Sequence, residues 1–335
     1  MTLRHPPGRQ THGGFIRRLR SRGEHTEITD FSASLNPFPP QCDWNPLSCD
    51  ISDYPDDTYT LLKETIGRAY SRDPSEIAVG NGSVELIRVY AQVMLGPGKT
   101  AFIEQPTFGE YIQSVILAGG SVTDNPSGEA SVRYLCNPNN PTGLLKKKEE
   151  IMAVLSECNS TGSALFLDEA FIDLSDPDQS LAKTRDPDLF VLQSLTKSFA
   201  VPGIRFGFGF GDPLLIDAIE KTRPPWTVNR YAETFAIEAL SHLPELGESR
   251  RKIAAEREYL ADSLQSLGYS PHPSHTNYIL VDTGKDAGDL TERLLSMGVL
   301  VRDCTSFGLV ETIRVAVRTR EENRILIEAL AACAY

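Results

Sequence analysis

Short runs of consecutive apolar residues recur along the first part of the chain, separated by segments whose apolar positions follow a helical period. The runs at 77–79, 100–103, 132–136, 164–167, 189–193 and 204–210 are rich in β-formers. Several lack polar alternation, the pattern of strands buried on both faces. Helical patterns, such as those at 84–94 and 147–157, alternate with them. This βα alternation predicts an α/β fold with a mostly parallel central sheet sandwiched by helices.

After about residue 230 the pattern changes. Two long amphipathic stretches, 231–243 and 248–267, precede a strand at 277–282 and a helix at 288–297. Short strands near 300–302 and 312–317 and a helix at 321–332 follow. That order predicts a smaller α+β domain. Residues 1–50 hold many Pro and Gly residues and are expected to pack over the small domain and the active site. The expected organisation is an N-terminal segment 1–50, a large domain 51–230 and a small domain 231–335.

Composition changes this picture little: 40% hydrophobic and 23% charged residues describe a chain able to build a core. The net charge of −12 argues against nucleic acid as a partner. The N-terminus runs the other way, with Arg4, Arg9, Arg17, Arg18, Arg20 and Arg22 opposed only by Glu24. It reads either as a solvated basic helix or as a local field that draws in a phosphorylated substrate. None of the six cysteines has CxxC spacing, which argues against a metal site or a redox couple. Scattered thiols, no apolar leader and no bilayer-length apolar run predict a cytoplasmic protein without a membrane partner.

The candidate chemistry lies at strand ends. Ser194-Leu-Thr-Lys197 follows the run 189–193, and Arg205 comes shortly after. A lysine at the carboxyl end of a buried strand faces the crevice of an α/β sheet. Burial and nearby cations lower its pKa, and a neutral amine attacks an aldehyde. Ser194, Thr196 and Arg205 supply the hydroxyls and guanidinium that suit a phosphate monoester. Asn137-Pro-Asn-Asn140-Pro-Thr-Gly follows 132–136 and is, by itself, turn chemistry. Asp168-Glu-Ala-Phe171 follows 164–167; Asp168 could cap a helix or hold a ring nitrogen protonated. Gly80-Asn-Gly82-Ser83 is a glycine-rich turn into a helix, which presents N–H groups to an anion.

Together these segments resemble the fold-type I enzymes dependent on pyridoxal 5′-phosphate (PLP), with the aspartate-aminotransferase fold. The resemblance implies that Lys197 carries PLP as a Schiff base and that Asp168 holds the pyridine nitrogen. It implies that Asn140 donates to O3′, that Phe108 stacks on the ring, and that Gly82, Ser83, Ser194, Thr196 and Arg205 surround the phosphate. Tyr54 fits the tyrosine that reaches the cofactor phosphate from a neighbouring subunit, which implies a homodimer. Phe171 stands where most aminotransferases carry Tyr, leaving Asn140 as the main O3′ partner. Arg314, in Ile-Arg314-Val-Ala-Val, fits the arginine that forks onto the α-carboxylate.

A further resemblance, over nearly the whole chain, is to the threonine-phosphate decarboxylases of cobalamin (adenosylcobalamin) biosynthesis, close to the histidinol-phosphate aminotransferases. It rests on His12-Gly-Gly, Asp30-Phe-Ser-Ala-Ser34-Leu-Asn36-Pro, Tyr54-Pro-Asp, Leu167-Asp-Glu-Ala-Phe171, Pro225-Trp-Thr-Val-Asn229, Thr276-Asn277-Tyr, Leu300-Val-Arg302-Asp-Cys and Arg314-Val-Ala-Val-Arg. It implies that His12, Ser34, Asn36 and Arg302 hold the substrate phosphate, while Arg314 holds the carboxylate beside Asn140. Ser34 departs from the family's asparagine and has a shorter reach. The implied reaction is decarboxylation of O-phospho-L-threonine to (R)-1-amino-2-propanol O-2-phosphate. The alternatives are a histidinol-phosphate aminotransferase, which needs a 2-oxo acid as amino acceptor, and a catalytically silent PLP-binding protein. A silent protein is expected to have lost Lys197, Asp168 or Arg314, and all three are present. No Walker-type loop supports a kinase.

Overall fold

The computed structural model describes residues 8, 13–21, 27–125 and 129–333. The N-terminal segment carries a two-residue strand, β1 (Thr29–Asp30). Seven strands then build the main sheet: β2 (Ile77–Gly80), β3 (Thr100–Ile103), β4 (Ser121–Thr123), β5 (Val132–Cys136), β6 (Ala164–Asp168), β7 (Leu189–Gln193) and β8 (Gly207–Phe210). Their order is β2-β8-β7-β6-β5-β3-β4. Only β8 runs antiparallel to its neighbours.

The central strands are apolar throughout because both of their faces are covered. Leu165, Leu167, Leu189 and Val191 point to one face, with Leu62, Ile66, Ile151 and Leu155 of the helices Thr60–Tyr70 and Lys148–Thr161. Phe166, Phe190 and Leu192 point to the other, with Leu86, Ile87, Tyr111 and Ile216. The alternation of the strand decides which residue meets which helix layer.

A second, four-stranded sheet is antiparallel, in the order β12 (Arg302–Asp303), β13 (Thr312–Ala316), β10 (Tyr278–Asp282) and β9 (Ser270–Pro271). Ile279, Val281, Ile313 and Val315 join the same core cluster as Leu165 and Val191, so the two sheets share one continuous core. Strand β11 (Val299–Leu300) leaves that sheet and pairs in parallel with β1. The expected strand at 300–302 is thus two strands, parted at Val301 and serving different sheets.

Two further departures have local causes. The run at 204–210 becomes a strand only from Gly207, because Arg205 adopts φ +62°, a left-handed conformation no strand accommodates. The edge strand β4 carries no apolar run for periodicity to detect, since none of its residues is buried.

Residues 31–36 stitch the sheets together. Phe31 N–H donates to Leu300 O at 2.7 Å, Ala316 N–H donates to Phe31 O at 2.8 Å, and Asn36 N–H donates to Lys197 O at 3.0 Å. Among the described residues no helix is long and apolar enough to cross a membrane.

Candidate active site

The carboxyl ends of β2, β3, β5, β6 and β7 meet at a cavity of about 1050 Å³, closed on its other side by residues 30–35 and the edge of the second sheet. Lys197 follows β7 in the short helix Leu195–Ser198 and lines this cavity. Burial, then Arg314 and Arg205, push its amine down to about 8, against the opposing pull of Asp168. Its Nζ lies 5.7 Å from the centroid of the Phe171 ring.

Asp168 ends β6 and is buried. Its Oδ1 accepts from Ala170 N–H at 2.9 Å and its Oδ2 from the Tyr111 hydroxyl at 2.7 Å. Burial raises its pKa, and the bonds from Tyr111 and Ala170 and the charge of Lys197 oppose the rise. The next residue, Glu169, faces the opposite way and is fully spent on structure. It accepts from Ser180, from Leu181 N–H and from Gln193 of β7, tying the end of β6 to the strand that leads into Lys197. Burial pushes its carboxyl up to about 8.

A cradle forms where the turn from β2 meets Arg205. Gly82 has φ +81°, and a Cβ there would come within 2.3 Å of the Arg205 guanidinium. A Cβ at Gly207 would sit 2.5 Å from Ser83 N. Ser83 and Val84 begin a helix and line the cavity; the first-turn N–H groups of a helix have no intrahelical acceptor. Thr196 also lines it, whereas Ser194 is set behind and bonds the Thr196 hydroxyl at 2.9 Å. These residues fit PLP: a phosphate group would meet the cradle, a ring nitrogen would meet Asp168, and Phe108 lines the same space.

On the substrate side, Arg314 is buried and lines the cavity, its guanidinium 5.0 Å from the Tyr278 ring centroid. It donates to Asn140 Oδ1, and to Ser32 O at 3.2 Å, while its Nε has no partner among the described residues. Arg302 lines the cavity 5.3 Å from the Phe307 ring centroid and donates to Ser306 Oγ at 2.6 Å. The buried hydroxyl of Ser34 lacks a partner among the described residues and lines the cavity too.

Three expected residues stand elsewhere. Asn36 does not line the cavity: its Nδ2 donates to Ser198 O at 2.7 Å and its Oδ1 accepts from Phe38 N–H at 2.9 Å. It therefore holds the Lys197 segment from behind. Tyr54 is 80% exposed and packs on Trp226, with ring centroids 4.8 Å apart, away from this chain's own cavity. His12 lies outside the described residues. Of the basic N-terminus, Arg17 lines the cavity mouth, while Arg18 and Arg20 do not. Tyr111 escaped sequence reading because nothing in Phe108-Gly-Glu-Tyr111 marks its hydroxyl as the partner of a carboxylate far along the chain.

Comparison with known proteins agrees with this geometry. A family model described as aminotransferase class I and II matches residues 50–330. A protein of Caldanaerobacter subterraneus subsp. tengcongensis, provisionally named as a threonine-phosphate decarboxylase, is 35% identical, with 89% of this chain and 88% of that protein covered. A histidinol-phosphate aminotransferase of Symbiobacterium thermophilum is 31% identical, with 84% of this chain and 82% of that protein covered. Among solved structures, the histidinol-phosphate aminotransferase of Sinorhizobium meliloti, in complex with pyridoxal-5′-phosphate, has the same fold. It superposes with a TM-score of 0.85 at 24% identity, covering 96% of this chain and 94% of the other.

Two predictions follow from the electrostatics. An amine with its pKa near 8 is half neutral there, where an ordinary lysine is almost wholly charged. The rate at which PLP recombines with cofactor-free protein should therefore rise with pH through a midpoint near 8. Stopped-flow absorbance measures it, and a rise delayed to the ordinary lysine range would refute the assignment. Tyr111→Phe removes a hydrogen bond to a buried carboxylate, worth about 2 kcal/mol. PLP affinity should fall by roughly tenfold or more in equilibrium dialysis, with the fold unchanged by circular dichroism.

Proposed function

We propose that this chain, which belongs to the class I and II aminotransferase family and uses pyridoxal 5′-phosphate, decarboxylates O-phospho-L-threonine to (R)-1-amino-2-propanol O-2-phosphate. The observation that carries this reading is a pair of arginines. Arg302 of β12 and Arg314 of β13 are direct cross-strand partners, both buried and both lining the cavity. Like charges directly opposite on adjacent strands destabilise a sheet, and burial raises the penalty. Two anionic groups on one small substrate would relieve it. A phosphorylated amino acid carries that pair of charges. The Ser34 hydroxyl and Arg314 Nε, without a partner among the described residues, support the same reading, as does the 35% identity to the relative provisionally named for this activity.

Bound PLP withdraws electrons from the Cα of an amino acid joined to it. In this reading Arg314 grips the carboxylate and Arg302 the phosphate, which fixes how the Cα–carboxylate bond is turned. Asp168 would meet the ring nitrogen, and the Tyr111 hydrogen bond opposes the rise that burial gives its pKa. Phe171 and Tyr278 form an apolar wall, their ring centroids 5.1 Å apart, which limits water beside Lys197. Lys197 Nζ, still protonated in part near pH 8, is the group suited to give a proton to Cα after carbon dioxide leaves.

The active unit in this reading is a homodimer. Tyr54, packed on Trp226, is an exposed aromatic that a second copy would cover, and Leu47 and Ile51 of the same segment are exposed too, at 92% and 63%.

The reaction is tested by supplying PLP-loaded protein with O-phospho-L-threonine and no 2-oxo acid. Carbon dioxide release that Lys197→Ala abolishes is expected. Amino transfer to imidazole-acetol phosphate from glutamate, without that release, would instead make the chain an aminotransferase. The dimer is tested by mixing two inactive variants, Lys197→Ala and Tyr54→Ala. Each mixed dimer should regain one intact site and measurable turnover; no recovery, with a monomer in sedimentation, would overturn the shared site.

A further inference from the structure

We propose that Ser306 is a specificity residue that distinguishes a phosphate from a carboxylate at the outer end of the cavity. This inference rests on the reading of a phosphorylated substrate given above. Ser306 sits in the short 3-10 turn Thr305–Phe307, immediately after β12, and lines the cavity with Arg302 and Phe307. The turn is locked by its own backbone: Thr305 N–H donates to Asp303 Oδ1 at 2.7 Å, Phe307 N–H to Cys304 O at 2.8 Å, and Cys304 N–H to Thr312 O at 3.1 Å. Arg302 is thereby held from two sides by its own segment, with the Phe307 ring against the guanidinium and the Ser306 hydroxyl on Nη2.

The direction of that 2.6 Å hydrogen bond matters. Arg302 is donor only, so the Ser306 oxygen accepts. The hydroxyl proton must then point away from Arg302, and Ser306 lines the cavity. An arginine bonded to the hydroxyl oxygen also polarises that O–H and strengthens it as a donor. The pair therefore offers an anion a guanidinium edge and, beside it, a hydroxyl proton at an angle to it.

A carboxylate has two oxygens in one plane, and the planar fork of an arginine satisfies both. A phosphate monoester has three terminal oxygens in a tetrahedral array, so two can meet Arg302 while a third meets Ser306. Loss of the hydroxyl should thus weaken a phosphate ligand and leave a carboxylate ligand alone. A site built to hydrogen-bond a group selects strongly against analogues that lack it.

The test uses PLP-loaded protein and two variants, Ser306→Ala and Ser306→Thr, the second of which keeps the hydroxyl. Binding of O-phospho-L-threonine is followed by the change in cofactor absorbance, so turnover is not required. Inorganic phosphate and L-glutamate are then titrated as competitors. For Ser306→Ala the dissociation constants of O-phospho-L-threonine and of phosphate should rise about tenfold or more, as for loss of a hydrogen bond to a charged group. Competition by L-glutamate should stay the same, and Ser306→Thr should restore phosphate binding. Unchanged phosphate binding, or equal weakening of glutamate and phosphate, would overturn the proposal. Ser306-dependent binding without carbon dioxide release would sink the decarboxylase reading alone. Release of carbon dioxide with no effect of Ser306→Ala would sink this inference alone.

Discussion

Positive charge brought together at one cavity, part of it buried, is the constraint around which the site is organised. The described lining residues include the buried Arg302 and Arg314, Lys197, and the exposed Arg17 and Arg205, against the carboxylates of Asp30 and Asp168, in a chain whose net charge is −12. The cavity is therefore opposite in sign to the molecule that surrounds it. Such crowding weakens the folded state, because each buried cation loses water and repels the next. Burial first, then the charges of Arg314 and Arg205, push the Lys197 amine down to about 8. Ligands that bring negative charge gain from the same imbalance. A cofactor phosphate in the cradle and an anionic substrate at the arginines would each lower the energy of a site that is strained without them.

How well the sequence announces this arrangement depends on whether a residue acts locally. The buried strands β3, β5 and β7 read correctly because an apolar run bounded by turn residues has few other uses. The residues at their carboxyl ends come together at one cavity, because strand ends in a parallel sheet point at one crevice. Arg205 and Val301 were harder. A left-handed φ at a non-glycine residue, or a strand that changes sheets after two residues, depends on distant packing rather than on local pattern. Asn36 shows the limit at the level of single atoms. The motif around it brings it near Lys197, but its amide is spent on Ser198 O and Phe38 N–H. Proximity in a motif and access to a cavity are different properties.

Behind the residues that line the cavity stands a layer with a different duty. Tyr111 holds the Asp168 carboxylate by a hydrogen bond, Glu169 ties two strand ends together, and Asn36 braces the Lys197 helix. All three are buried, and each joins segments far apart in the chain. Positions held this way tolerate little displacement, since moving one partner leaves a buried polar group unsatisfied. The geometry at Lys197 and Asp168 is accordingly set by the fold rather than by the cofactor.

This division bears on how one scaffold selects among reactions. Arg314 would hold an α-carboxylate in an aminotransferase and in a decarboxylase alike, so its presence cannot decide which bond to Cα is broken. A carboxylate held at one point still allows rotation about its own bond to Cα. A second hold on the substrate would remove that freedom, and in the proposed reading it would fall on Arg302, directly across the strand pair from Arg314. Binding energy from a group remote from the reacting bond can be used to orient that bond. In that reading the selection would lie in the angle between the two arginines and in how rigidly Arg302 is held. The locked turn Thr305–Phe307 supplies that rigidity from a segment that touches neither Lys197 nor Asp168 through any hydrogen bond of the described residues. Chemistry would be set at one end of the cavity and choice of reaction at the other, so either could change in evolution while the other stayed fixed.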